Sequence, residues 1–519
     1  MNSVRRTPIA LAALLAVLLG GAGCSTNPVT GEQELSLVST EQELAIGSKN
    51  YGPYRQAEGG DYVLDPALSA YVEGVGQRLA KVSDRPLPYE FSIVNDSTPN
   101  AWALPGGKIA LNRGLLVELQ SEAELAAVLG HEIVHAAARH TAQGIQRGWA
   151  MQGALLAAGL ALGDSRYGDL AMSGAQLGSQ LVQQRYGRDA EREADFYGMQ
   201  YMARAGYDPA AAVDLQRTFL RLAEGKEQNW LAGLFASHPP SQERVDNNRR
   251  TARELSAGGE IGRERYQRMI ARLKRTKPAY DAYDAAREAT AAGDKTRARA
   301  LLDRAIDIEP EEALFWELRG ELLAEAGDRR AALTAYDRAV RANPGYFRPY
   351  VMRGFLRRQL GDRSGAGKDF QRSLDLLPTA EARYGLGVLA LDAGRRDEAV
   401  ALFRLAASAD SAVGKAASRD LARLDLAQNP GRYVGLSLGL DGDGYLTLVV
   451  ENRAGVPIEA VDLVLGRRGT HGLVDTRGYR VDGRLGPGER RALRSRLGPM
   501  DAATARRYGA MVTGARLVE

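Results

Sequence analysis

The chain of 519 residues is poor in several residue types: it carries one cysteine, five histidines and four tryptophans, and only 7% of it is aromatic. A single cysteine excludes an internal disulfide. Charge of one sign is also scarce, because 68 Lys and Arg against 64 Asp and Glu leave a net +4. With no long basic run on one face, no nucleic-acid partner is expected. No apolar stretch convincingly reaches the roughly 20 residues that a spanning helix needs. What remains is an ordinary soluble balance, 45% apolar and 25% charged, in a chain too long for one core.

The lone cysteine is explained by its position. Arg5 and Arg6 precede an apolar run from Ile9 to Leu19, and small residues then lead to Cys24. That is the layout of a secretory signal peptide over 1–23, ending at a bacterial lipidation site. Gly21 stands where such sites usually carry Leu, and Ser25 in place of Asp directs the expectation to the outer membrane. Acylated Cys24 would anchor the protein in the periplasm without a spanning segment. Residues 24–40 read as a polar tether, and a helix starts near Ser39 or Thr40, with Thr40 and Glu43 at capping-box spacing.

From Tyr89 the pattern changes to short β-rich runs, "YEFSIVND", "AWAL" and "KIALN", broken by "STPN" and "PGG". They predict a small antiparallel sheet. The stretch after Gly114 reads as a helix with Ser121 and Glu124 as a second capping pair and Gly144 as its stop.

Three of the five histidines fall between Gly130 and His140, in "GHEIVHAAARH". His131 and His135 are four apart, so on a helix their rings share one face. Two neutral imidazoles at that spacing can grip one Zn²⁺, with Glu132 beside them to take a proton from water. A metzincin extension would need Gly at 138 and His at 141, and the chain has Ala138 and Thr141. His140 is one place short and would face elsewhere on a continuous helix, so it is read as a supporting residue. "YGRDAEREADFYGMQYMARAGYDP" offers the third ligand, Glu191. Asp195, one turn on, is positioned to accept the free ring N–H of a zinc-bound histidine, whereas Glu193 faces away and reads as solvated.

"NAWALPGGKIALNRGLL", "ELAAVLGHEIVHAAARH", "EREADFYGMQYMARAGYDP" and "SHPPSQERV", in that order, resemble the HtpX-like zinc metallopeptidases, or minigluzincins, in their bacterial lipoprotein form. "CSTNPVTGEQELSLVS" is similar to the tether of that family. The resemblance implies one zinc per chain on His131, His135 and Glu191, with Glu132 as general base. It also draws in His238 near the metal, as oxyanion donor or as a fourth, regulatory ligand, with Arg244 bracing the acidic groups. An exposed edge at Ile109, Ala110, Leu111 and Asn112 is expected to take an unfolded polypeptide as an added strand. "GWAMQGALLAAGLALG", residues 148–163, is expected to pack over the cleft.

In the second half Pro310, Pro344 and Pro378 repeat every 34 residues, as do Gly293, Gly327 and Gly361. That period is the tetratricopeptide signature, which provides a concave surface for partner proteins. Gly-rich turns between alternating strands after residue 429 suggest a small β-sandwich, in which His471 has no evident role. The expected class is therefore α+β and mainly α. A gluzincin-type peptidase domain spans 41–260 and a basic, solvated helical linker 261–280. The repeat array spans 281–428 and the β-domain 429–519. The expected activity is zinc-dependent endoproteolysis of misfolded or unassembled envelope proteins. The rival reading is a non-proteolytic assembly scaffold for outer-membrane proteins.

Overall fold

The computed structural model describes residues 23–147, 186–224, 238–255 and 258–518; the expected signal peptide up to residue 22 and the stretch 148–163 lie outside them. The chain divides into two compact units, Met1–Tyr346 and Phe347–Glu519. Among the described residues no helix is long and apolar enough to cross a membrane.

The first unit begins with an antiparallel hairpin of β1 (Gly23–Thr26) and β2 (Gln33–Ser36), in which Cys24 stands opposite Leu35. The stretch expected to be a tether is thus folded, and its polar side chains explain why. Asn27 Nδ2 donates to the Ala138 carbonyl at 3.3 Å, and Gln143 Nε2 donates to Glu34 Oε2 at 2.9 Å. Arg139 donates to Ser25 Oγ at 3.1 Å. α1 (Thr40–Ala57) is capped by Ser39 with Gln42 as the reciprocal partner. Glu43, expected to serve that cap, is instead buried between Arg85 and Arg139.

α2 (Pro66–Ala80) starts at the Asp65 cap and leads to a three-stranded sheet of β3 (Glu90–Val94), β4 (Ala101–Leu104) and β5 (Lys108–Asn112). Its order is β3-β5-β4, with β3 parallel and β4 antiparallel to β5. The sheet is therefore mixed, and the expected peptide-binding edge is its centre. Ile109, Ala110 and Leu111 are fully buried and paired on both sides, so no strand can be added there.

α3 (Arg113–Glu118) joins β5 to α4 (Glu122–Ala137), which carries the first histidine pair. α4 ends seven residues before the expected stop. Arg139 adopts a left-handed conformation, φ 64°, and a new helical run occupies 140–147. α5 (Arg188–Arg204) crosses α4 at two glycines. A Cβ on Gly198 would lie 3.0 Å from the His131 nitrogen, and one on Gly130 would lie 3.1 Å from the Gly198 carbonyl oxygen. Only backbones that can approach this closely bring α4 and α5 together. α6 (Ala211–Glu224) and α7 (Gln242–Glu254) complete the core.

α8 (Arg263–Met269) and α9 (Ala271–Ala291) occupy the expected solvated linker, yet they pack on this core. Tyr266, Ile270 and Leu273 are buried, and Tyr266 donates to the Leu116 carbonyl at 2.6 Å. Helix pairs follow: α9 with α10 (Lys295–Ile308), then α11 (Ala313–Glu325) with α12 (Arg329–Ala342). The Glu312 carboxylate accepts from Asn95 Nδ2 at 3.0 and 3.1 Å and from the Tyr280 hydroxyl at 2.6 Å, while the Arg113 guanidinium lies 3.4 Å from the Tyr280 ring centre. The first repeats are thus bonded to the end of the small sheet.

In the second unit, α13 (Arg348–Gln359) pairs with α14 (Arg363–Leu376), and α15 (Ala380–Asp392) with α16 (Arg396–Ala406), before a closing helix α17 (Ala412–Asp425). Small residues sit at the helix crossings: a Cβ on Gly354 would meet the Phe370 ring at 2.8 Å. Two three-stranded antiparallel sheets end the chain, β6 (Val434–Leu440), β7 (Leu446–Asn452) and β10 (Arg490–Arg494) in one, β8 (Ile458–Gly469), β9 (Gly472–Val481) and β11 (Tyr508–Leu517) in the other. Leu448, Val450, Leu463 and Leu465 share one buried cluster. The fold is mainly helical, with tetratricopeptide-like repeats and small sheets.

A candidate metal centre between two helices

His131, His135, Glu191 and His238 each place one ligand atom within 4.8 Å of the others. α4 supplies the first two from adjacent turns, α5 supplies Glu191, and the turn before α7 supplies His238. His131 Nε2 lies 3.0 Å from His135 Nε2, 3.2 Å from His238 Nδ1 and 3.6 Å from Glu191 Oε2. One ring proton can satisfy only one of these neighbours. A cation among them satisfies all four, and the imidazole and carboxylate donors suit zinc. The residues present therefore fit a bound metal.

The surroundings are dry and charged. Glu132 is buried, its Oε2 has no hydrogen-bond partner among the described residues, and its Oε1 lies 3.6 Å from His238 Nε2. Burial pushes the Glu132 carboxyl up and holds the His135 ring well below its ordinary value, so His135 stays neutral. Burial opposes ionisation of Glu191 as well, but the charges of His238 and His131 outweigh it and keep that carboxyl low. His238 is raised, because Glu191 and Glu132 overcome the cost of burying its charge.

Outside the cluster, His131 Nδ1 lies 3.0 Å from Asp195 Oδ1. Arg244 grips both Asp195 oxygens at 2.7 Å and reaches Glu191 Oε2 at 2.9 Å. Burial would raise Asp195, but Arg244 holds it low. An apolar pocket lined by Val128, Met199, Leu215 and Phe219 adjoins His131 and Glu132. The structure thus gathers His131, Glu132, His135, Glu191, Asp195, His238 and Arg244, and leaves Ile109 to Asn112 inside the sheet and Cys24 in the hairpin.

Three neighbours surround the cluster: His140, read from the sequence as a supporting residue and not a ligand, and Glu193 and Tyr186, which the sequence did not place there. His140 Nδ1 lies 2.8 Å from His135 Nδ1, and His140 Nε2 lies 3.1 Å from Glu193 Oε2, so Glu193 is engaged rather than solvated. The Tyr186 ring stacks on His135 at 3.8 Å with its hydroxyl 2.9 Å from Thr141 Oγ1. The supporting role expected of His140 took a different form, because the break at Arg139 turns its ring toward His135.

Residues 66–252 match the profile of the family described as Peptidase family M48, and residues 283–347 and 351–413 match a tetratricopeptide repeat profile. One region of the chain is thus similar to the M48 metallopeptidases and a later one to tetratricopeptide arrays. A Vibrio cholerae protein named provisionally as a beta-barrel assembly-enhancing protease is 32% identical over 237 residues, 44% of this chain and 47% of that one. The Beta-barrel assembly-enhancing protease of Escherichia coli K12 is 29% identical over 239 residues, covering 44% and 48%. The Mitochondrial metalloendopeptidase OMA1 of Schizosaccharomyces pombe is 34% identical over 222 residues, covering 42% and 63%. The matched region thus spans about half the length of the curated relatives from bacteria.

Proposed function

We propose that this chain is a zinc-dependent endopeptidase of the bacterial cell envelope, anchored through a lipid on Cys24, that cleaves misfolded or unassembled envelope proteins. The observation that carries the reading is the cluster of His131, His135 and Glu191 with Glu132 on its flank. These three residues would hold one zinc ion, which when bound supplies Lewis-acid activation of water and of the scissile carbonyl. Glu132 takes the proton of the attacking water and returns it to the leaving amine. Asp195, locked by Arg244, accepts from His131 Nδ1 and keeps Nε2 turned to the ion.

His238 acts as a gate. Its Nδ1 faces the cluster while its Nε2 faces Glu132, so the ring lies between the ligands and the base, where the attacking water belongs. A polypeptide must displace it. The repeats dock partner proteins, a role consistent with relatives named for β-barrel assembly.

The test is metal analysis and casein digestion with the purified protein. We expect one zinc per chain, lost in His131→Ala and in Glu191→Ala together with cleavage. Full zinc occupancy in either variant refutes the ligand assignment. Zinc-loaded wild type and His238→Ala that both leave casein intact refute the enzyme.

A further inference from the structure

The outward nitrogens of the two α4 histidines are braced in different ways. His131 Nδ1 meets a carboxylate, Asp195, whereas His135 Nδ1 meets a second imidazole, His140, at 2.8 Å. Two ring nitrogens at that distance share one proton, so one donates and the other accepts. Glu193 decides which. Its carboxylate only accepts, so His140 carries its hydrogen on Nε2, 3.1 Å from Glu193 Oε2. With its one ring hydrogen directed at Glu193, His140 is bare at Nδ1 and accepts from His135 Nδ1–H. His135 is left with a lone pair on Nε2, the atom that lies 3.0 Å from His131 Nε2 and 3.4 Å from Glu191 Oε1.

We infer that His140 and Glu193 form a positioning relay that fixes the tautomer and ring orientation of His135 for metal binding. The inference rests on the metal reading above and extends it to two residues outside the ligand set. The backbone around the relay is specialised for it. On an unbroken helix His140 would stand about 140° around the axis from His135. The left-handed turn at Arg139 brings it back, at a conformational cost that the Arg139 guanidinium offsets through Glu43, Ser25 and the Val38 carbonyl. Tyr186 closes the other face of the His135 ring, 3.8 Å away and tilted by 19°. His135 is thus held by its plane and by its proton, on a side chain with no exposure to solvent.

Zinc affinity, measured by competition against a chromogenic chelator, separates the relay from simple packing. His140→Gln preserves the polarity, since an amide oxygen can accept from His135 while the amide nitrogen donates to Glu193. His140→Phe keeps the ring and removes both bonds. We expect His140→Phe to weaken zinc binding about 10- to 100-fold, and His140→Gln to restore most of it. Glu193→Ala, at a side chain 34% exposed, should weaken zinc binding without lowering the melting temperature of the metal-free protein. This variant carries the test should His140→Phe fail to fold. Unchanged affinity in Glu193→Ala or in folded His140→Phe overturns the relay, as does equal loss in His140→Gln and His140→Phe. Wild-type protein that binds no zinc overturns the metal reading itself.

Discussion

Replacing Glu132 with Gln should move activity and stability in opposite directions. Glu132 is 2% exposed, and its Oε2 has no hydrogen-bond partner among the described residues. It is not among the four residues that converge on the candidate ion, so zinc content should not change. Loss of the base should lower kcat/KM by about 10²- to 10⁴-fold, or roughly 3–5 kcal/mol of transition-state stabilisation. Stability should rise, because a neutral amide costs less to bury than a carboxylate with a bare oxygen. An unsatisfied buried polar group costs about 1–3 kcal/mol, so a gain of about 1–2 kcal/mol is expected for the metal-free protein. Urea denaturation in chelator, zinc analysis and peptide hydrolysis on the same preparations make the comparison. Turnover equal to wild type would refute the general base. A loss of more than about 1 kcal/mol with zinc retained would refute the view that function, not folding, keeps a carboxylate there.

Substituting His238 by Ala should raise basal cleavage of unfolded protein or increase self-cleavage; a fall in turnover with zinc content unchanged would make His238 an oxyanion donor instead of a gate. Burial lifts the Glu58 carboxyl from 4.5 to about 7, against the hydrogen bond from Trp102 Nε1 at 3.0 Å. The folded state therefore binds more protons than the unfolded state between those values, and stability falls as pH rises through that window. Glu58→Gln should recover up to about 3 kcal/mol above pH 7 and nothing below pH 4.5, and equal effects at pH 4 and pH 8 in chemical denaturation would contradict this. A chain ending at residue 346 should fold and bind zinc, whereas one ending at 280 loses Glu312 and leaves the Asn95 amide and the Tyr280 hydroxyl without their acceptor. Equal melting temperatures for the two truncations would show that the first repeats are dispensable to the core.

Features set by short-range periodicity were legible in the amino-acid sequence. The spacing of His131 and His135 needs only a helix, and so does the step from Glu191 to Asp195. Tetratricopeptide helices are equally local, because a glycine every 34 residues marks the end of each first helix, and Gly293, Gly327 and Gly361 all adopt positive φ, 80°, 86° and 89°. Ser39 was recognisable as a helix start, though its partner proved to be Gln42, since Glu43 is drawn into a buried ion cluster by arginines far along the chain.

Strand composition placed β5 correctly in the chain but could not say which strand would be central, since register and order depend on partners β3 and β4 rather than on "KIALN" itself. The linker helices looked solvated because their basic residues are conspicuous, while Tyr266, Ile270 and Leu273 found a surface elsewhere to cover. His140 shows the limit most clearly. Five positions after His135, it belongs to another face by every local rule. Its bond to His135 exists because Arg139 is held in a left-handed turn by Glu43, 96 residues away, and by the Val38 carbonyl, 101 residues away. Local spacing determined which residues can bind a metal; contacts between distant segments decided which others orient them, because a backbone conformation that costs energy locally persists only where tertiary bonds outweigh that cost.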